Sequence, residues 1–159
     1  EIRNCDWSSD VCSSDLLAGS GKIPQANELS RIASESAQQT LPIIVFVSRD
    51  ACPYCRALRN EVLSPMLAGG QFEGRAMLVE VSLDTPIAFT GFDGKPVGAD
   101  AFGEHYKVFI TPTLLFLDAA GNELSKARIG ISNLELYSHY LNRSIDQARE
   151  KLLAGNQVN

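Results

Sequence analysis

The run LPIIVFVS at 41–48 constrains this chain more than any other stretch. It is almost wholly apolar and β-branched at its centre, so it offers no polar face at a period of two. Such a strand is buried on both sides, inside a sheet with layers packed above and below. Four residues further on come Cys52-Pro53-Tyr54-Cys55, followed by Leu58, Val62 and Met66 at helical spacing. A doubly buried strand therefore runs straight into a helix, and the junction carries two cysteines.

The first sixteen residues, EIRNCDWSSDVCSSDL, have a different character. They hold Cys5, Cys12 and the single tryptophan, Trp7, yet no apolar residue recurs at 2.0 or 3.6. The six residues between Cys5 and Cys12 match no common zinc spacing. DWSSDVCSSDL resembles the translation of a widely used short-read sequencing adapter, so residues 1–16 carry no information about the fold. The expectation is that they make no regular contacts with the fold. Without them the chain keeps 13 basic against 15 acidic side chains, a net charge of −2 where the full chain has −5. Its only remaining cysteines are Cys52 and Cys55. LLAGS at 16–20 reads equally as a loop or as the tail of a signal peptide. Residues 17–25 read as a linker or such a remnant, 26–153 as one domain and 154–159 as a tail.

The hydrophobic fraction is 45% and the charged fraction 21%, globular values for a chain long enough to bury one core. No basic patch suggests a nucleic-acid partner. No apolar run approaches the roughly 18 residues of a membrane helix.

The spacing predicts a helix over 26–39 with Asn27 as N-cap, and a helix over 53–63. Ser64-Pro65 reads as a stop and a fresh helix start. A second strand is expected at 76–84, and the Gly- and Pro-rich 85–100 reads as a loop insertion. A short helix at 101–108, a strand at 111–118, a turn at 119–122 and a pairing strand at 123–130 follow. The last helix shows Leu134, Tyr137, Leu141, Ile145, Ala148 and Leu152 on one stripe, with Ser132 and Glu135 as a capping box. Strand–helix–strand followed by a hairpin and a closing helix predicts an α/β fold, a central mixed sheet flanked by helices.

Pro53 suits the first helical position, which places Cys52 at the N-cap and Cys55 at the third helical residue. An N-cap side chain points back over that residue, so the two sulfurs can meet. The helix N–H groups and dipole favour a thiolate at Cys52, the form that attacks disulfides. Cys55, one turn in, is expected to be better buried and to act as the resolving thiol. Half of a zinc site is one alternative; it would have to recruit His105 or His139, both of which read as surface or structural. A pair of inert core cysteines is another. No metal and no cofactor are expected.

Thr111-Pro112-Thr113 opens a strand with proline, which cannot donate to the ladder. A cis Thr111–Pro112 bond accounts for it, as does an ordinary trans proline at a strand start. In the cis form, a loop facing the dithiol would leave backbone groups free for an extended substrate.

CPYC after a buried strand, TPT at 111–113, LRNEVLSPM, the FDG loop, TPTLLFLD and GNEL…RIG together resemble the thioredoxin fold. The likeness covers about residues 26–153 and is nearest to a group of bacterial periplasmic thioredoxins of sulfur-oxidation clusters and disulfide-isomerase catalytic domains. It implies thiol–disulfide exchange with protein thiols and disulfides, Cys52 attacking, Cys55 resolving, and Pro53, Tyr54, Thr111 and Pro112 contacting substrate. It also implies an upstream redox partner, a monomer and a location outside the cytoplasm. The chain departs from family habit in several places. Pro-Tyr separates the cysteines, as in glutaredoxins, but Thr111 precedes Pro112 and the glycine pair of a glutathione site is missing. Ala51 replaces the usual tryptophan before the first cysteine. Phe46 occupies the usual buried acid position.

Glu80, a lone acid in MLVEVSL, is expected on a central strand. It either takes the Cys55 proton in place of the missing acid or is a partly exposed acid paired with a Lys or Arg. At the level of the whole protein, two readings stand at this point. One is a thiol–disulfide oxidoreductase. The other is a redox-inactive peptide- or partner-binding module that uses the Pro112 groove, with the 91–98 loop as a contact.

Overall fold

The computed structural model describes residues 21–158; the expectations for residues 1–16 and for 17–20 lie outside it. Its elements are α1 (Leu29–Gln39), β1 (Ile43–Ser48), α2 (Pro53–Leu58), a π-helical turn (Arg59–Leu63), α3 (Ser64–Ala68) and β2 (Met77–Ser82). The short strands β3 (Phe89–Thr90) and β4 (Pro96–Val97) come next, then α4 (Ala99–His105), β5 (Thr113–Leu117), β6 (Glu123–Ile129) and α5 (Tyr137–Val158).

The main sheet has the order β2-β1-β5-β6. β1 pairs parallel with β2 and antiparallel with β5, and β5 pairs antiparallel with β6. All six residues of β1 are buried, as its sequence demands. Their alternation divides the core in two. Ile44 and Phe46 face a cluster with Leu58, Val62 and Met66 of the α2–α3 helix and Tyr137, Leu141, Ile145 and Ala148 of α5. Ile43, Val45 and Val47 face Leu29, Ile32 and Ala33 of α1 and Phe102 of α4. A strand period of two thus sends neighbouring residues into separate cores.

Several element ends differ from expectation, for local reasons. α1 begins at Leu29 after Glu28, with no side-chain cap; the Asn27 carbonyl instead accepts from Thr90 N–H. Ser64 does not restart the helix, because Leu63 and Ser64 keep right-handed helical dihedrals. The chain widens there into a π turn, with Ser64 N–H donating to the Arg59 carbonyl. The widened turn accommodates Pro65, which has no N–H to continue the α ladder and whose ring crowds the carbonyl four residues back. The Ser132–Glu135 box does not form either: α5 starts at Tyr137, and Asn133 Oδ1 accepts from Leu136 N–H in the turn before it. At its other end α5 runs through Val158, so the stretch expected as a tail is helical to that point.

The 85–100 insertion contains the β3–β4 hairpin rather than loop alone. Nor is the described part of the expected linker free of the fold. Ile23 is buried in the core, and Gln25 bridges to Glu80. Glu80 N–H donates to the Pro24 carbonyl and Ala26 N–H donates to the Glu80 carbonyl, both at 2.8 Å. β2 is therefore an edge of the four-stranded sheet, not a central strand, and its outer side is covered by this short segment.

At the far end, the β5–β6 turn meets the hairpin at Gly121. Its φ is +85°, and an added Cβ would sit 2.9 Å from both Phe92 Cδ2 and Tyr106 Oη. Tyr106 Oη donates to the Gly121 carbonyl at 2.7 Å. Gly121→Ala is expected to cost about 1–3 kcal/mol in denaturant unfolding. Burial, with Asp118 and Glu123 nearby, pushes the Tyr106 pKa up to about 12 from 10.0. Burial also pushes Tyr137 up to about 12, against the opposing pull of Arg128. A phenol harder to ionise when folded contributes stability in full below its unfolded value and loses it as pH rises through the folded one. Unfolding curves should show stability falling between about pH 10 and 12, less steeply in Tyr106→Phe.

Candidate active site

β1 ends at Ser48, and a three-residue loop carries the chain to Cys52. Asp84, just past β2, anchors that loop. Its carboxylate accepts from Asp50 N–H at 2.7 Å and pairs with Arg49 at 2.9 Å. Cys52 is the N-cap of α2, with extended dihedrals, and Pro53 is the first helical residue. The helix start expected from Cys-Pro is thus observed, and it places Cys55 one turn in. The two cysteines are joined in a disulfide, their Cα atoms 5.2 Å apart.

The two sulfurs have unequal surroundings. Cys55 is sealed at 0% exposure, while Cys52 keeps 8%. Cys52 Sγ accepts from Cys55 N–H at 3.1 Å, and the Thr111 hydroxyl lies 3.5 Å away, placed to donate. Both donors, with the helix N-terminus, favour negative charge on Cys52 once the disulfide opens. Cys55 has no such support and is out of reach of solvent.

Thr111 reaches Cys52 because the chain turns sharply before β5. The Thr111–Pro112 peptide is cis. The Pro112 carbonyl accepts from Gly130 N–H at 2.7 Å, and Thr113 Oγ1 donates to the Ile110 carbonyl. These bonds fix the loop from both sides. The Thr111 carbonyl lies 3.8 Å from Cys52 Sγ, and no described residue pairs with Thr111 N–H. Tyr54 between the cysteines is 67% exposed, and Phe109 and Ile110 ahead of Thr111 are 83% and 59% exposed. The expected residues Cys52, Pro53, Tyr54, Cys55, Thr111 and Pro112 thus come together on one end of the sheet.

Glu80 occupies a second position, behind the dithiol. It pairs in register with Phe46, so it points to the same side of the sheet, the side that holds Cys55. It is 4% exposed, more buried than a partly exposed strand acid, yet it does pair with an arginine. Arg59 holds both carboxylate oxygens. Ser48 Oγ donates to Glu80 Oε1 at 2.6 Å and Gln25 Nε2 donates to Oε2 at 3.2 Å. The Arg59 guanidinium also lies 5.4 Å from the Phe46 ring centre. No hydrogen bond joins Glu80 to either cysteine. The sequence reading missed Arg59, although its place one turn after Cys55 on the same helix face was there to be read. Ser48 and Gln25 carried no such signal, since their roles depend on strand register and on the bridge at β2. His105 and His139, weighed as zinc ligands, make edge-on ring contacts with Tyr106 and Tyr140, with ring centres 4.6 and 5.6 Å apart.

A helix-capping dithiol beside a cis-proline turn, at the end of a mixed sheet covered by helices, defines a thiol–disulfide oxidoreductase of the thioredoxin type. The chain belongs to the thioredoxin-like domain family, whose pattern it matches over residues 29–144. No curated protein sequence matches it significantly. Among solved structures it is similar to a poplar thioredoxin h mutant, with 16% identity over 82% of this chain and 84% of that one, and a TM-score of 0.57. It is also similar to a DsbH oxidoreductase, with 20% identity, 80% and 88% coverage and a TM-score of 0.56. Spinach chloroplast thioredoxin f gives 14% identity, 83% and 97% coverage and a TM-score of 0.56.

Arg59→Ala should be costly, because it leaves a buried carboxylate short of its counter-charge. The expected loss is about 2–4 kcal/mol by denaturant unfolding, held down by the partial exposure of Arg59. Arg59→Lys should recover only part of this, since an ammonium cannot hold both oxygens.

Proposed function

We propose that the protein exchanges disulfides with protein substrates, Cys52 attacking and Cys55 resolving. The unequal surroundings of the two sulfurs are the observation that supports these roles. In the reducing direction, the Cys52 thiolate attacks a substrate disulfide, forms a mixed disulfide and releases one substrate thiolate. Cys55 then gives up its proton and attacks Cys52 Sγ. That step expels the second substrate thiolate and leaves the Cys52–Cys55 disulfide, with two electrons passed to the substrate. A thiol donor upstream restores the dithiol. The reverse sequence oxidises a substrate.

Exposed Pro53 and Tyr54 on α2, with exposed Phe109 and Ile110 ahead of the buried cis Pro112, offer apolar surface for an extended segment. The unpaired Thr111 N–H offers that segment a strand-like hydrogen bond. No cofactor is required, and the protein works as a monomer, with a single elution species expected by light scattering. The resemblance to periplasmic thioredoxins supports action outside the cytoplasm. Cell fractionation should recover the protein outside the cytoplasm.

Glu80 accepts the Cys55 proton during resolution. Its burial on the Cys55 side of the sheet supports this role. So does a cleft of about 460 Å³ lined by Gln25, Asp50, Arg59, Glu80 and Ser82, through which the proton can leave. The first test is insulin reduction by dithiothreitol. The native chain should accelerate it and Cys52→Ser should not; equal, uncatalysed rates for both would favour the peptide-binding reading. The second is resolution of a trapped Cys52 mixed disulfide, which Glu80→Gln should slow by about tenfold or more. Unchanged rates across about pH 6–9 would remove Glu80 from the mechanism.

A further inference from the structure

β6 is irregular where it faces α5. Phe116 pairs with Ser125 but Leu114 pairs with Arg128, so β6 carries an extra residue there and bulges. The bulge turns Arg128 beneath α5. Its guanidinium lies 5.6 Å from the Tyr137 ring centre and 5.4 Å from that of Tyr140. Nη1 donates to Ser144 Oγ at 3.2 Å, and Ser144 Oγ in turn donates to the Tyr140 carbonyl at 3.1 Å. Two polar atoms nearby are poorly satisfied: Arg128 Nε and Tyr137 Oη are both sealed from solvent and make no well-formed hydrogen bond, although Arg128 lies close enough to the Tyr137 hydroxyl to pull its pKa down. Tyr137 is only 3% exposed, and burial keeps its hydroxyl protonated to about pH 12.

Charge is unbalanced at the same place. Among the described residues, neither Arg128 nor Lys126 has a carboxylate within 4.0 Å. Both line a polar cleft of about 370 Å³ with Ser132, Tyr137, Ser144 and Gln147, and no acidic residue lines it. Taking a guanidinium partly out of water without a counter-charge is unfavourable, and a poorly paired Nε–H adds to that. Two cations, an arginine edge and several hydroxyl and amide donors suit an anion with two or more oxygens.

We propose that the cleft between β6 and α5 binds a small oxyanion of the phosphate, sulfate or carboxylate type, gripped by Arg128 with Lys126 as the second cation. Full grip would require the Arg128 Nε–H and the Tyr137 hydroxyl, both sealed in this structure, to turn toward the cleft. The site is separate from the dithiol but not remote from it. Gly130 lines the cleft, and its N–H holds the Pro112 carbonyl.

The test uses the full chain with sodium phosphate, sulfate or acetate added at constant ionic strength, balanced with sodium chloride. Thermal unfolding and the NMR shift of Arg128 Nε–H are the readouts. At least one of the three anions should raise Tm saturably, by about 2 °C or more, and move the Nε–H resonance with the same apparent Kd. Their ranking identifies whether a tetrahedral dianion or a carboxylate is preferred. Arg128→Gln should abolish the saturable rise. If Arg128→Gln does not fold, Lys126→Gln decides: Lys126 is exposed, and its loss should weaken the apparent Kd at least about threefold. Chloride-like behaviour of all three anions, or saturable binding unchanged in Lys126→Gln, would overturn the proposal. None of these readouts depends on disulfide exchange.

Discussion

The burial of β1 on both faces is the constraint from which the rest of the structure follows. A strand with apolar residues at every position cannot be satisfied by one layer. It requires α1 and α4 on one side and the α2–α3 helix and α5 on the other. Being fixed on both sides also fixes where it ends. Ser48 and the three residues after it then deliver Cys52 to the first turn of α2, against the Pro112 loop at the start of β5. The reactive end of the molecule is thus rigid because its supporting strand has no freedom to slip: a shift of one residue would exchange the two cores.

Within that frame the Glu80 cluster shows how a buried carboxylate is tolerated. Three groups from three parts of the chain converge on it, Ser48 from β1, Arg59 from the π turn and Gln25 from the segment along β2, and the Phe46 ring of β1 lies beneath the Arg59 guanidinium. Burying one ion alone would be prohibitive, and a lone surface ion pair would contribute little. Here the carboxylate has a bidentate arginine and two neutral donors. Arg59 is also where the helix widens around Pro65, so the proline and the ion pair belong to one local arrangement.

Much of this was legible in the sequence because it depended on periodicity. The two-sided strand, the α5 stripe from Tyr137 to Ala148 and the Cys-Pro helix start each follow from side chains a few residues apart. What escaped the sequence depended on pairing across long distances or on competition between local signals. Ser64-Pro65 reads as a helix restart, but the helix keeps its course because Leu63 and Met66 have a core to fill, and the backbone adjusts instead. Asn27 reads as a cap, but its carbonyl is needed by Thr90. Ser132 and Glu135 have the right spacing for a box, yet Asn133 holds the turn before α5. Glu80 was recognised as unusual, while its partner Arg59 in the π turn and its position at a sheet edge emerged only with the register of β2.

The two borders of the main sheet are treated differently. Along β2 the hydrogen-bonding groups of Glu80 are occupied by Pro24 and Ala26. Along β6, two register shifts against β5 bulge the strand, and the exposed Lys126 stands on it. An open, straight border is a template on which a second molecule can stack its own strand. Neither border here offers one, although the strands between them are among the most apolar in the chain. The short piece around Gln25, which looks dispensable in the sequence, therefore closes the middle of the β2 border as well as steadying Glu80. Trimming the chain beyond Pro24 would uncover a sticky edge as surely as it would loosen a carboxylate.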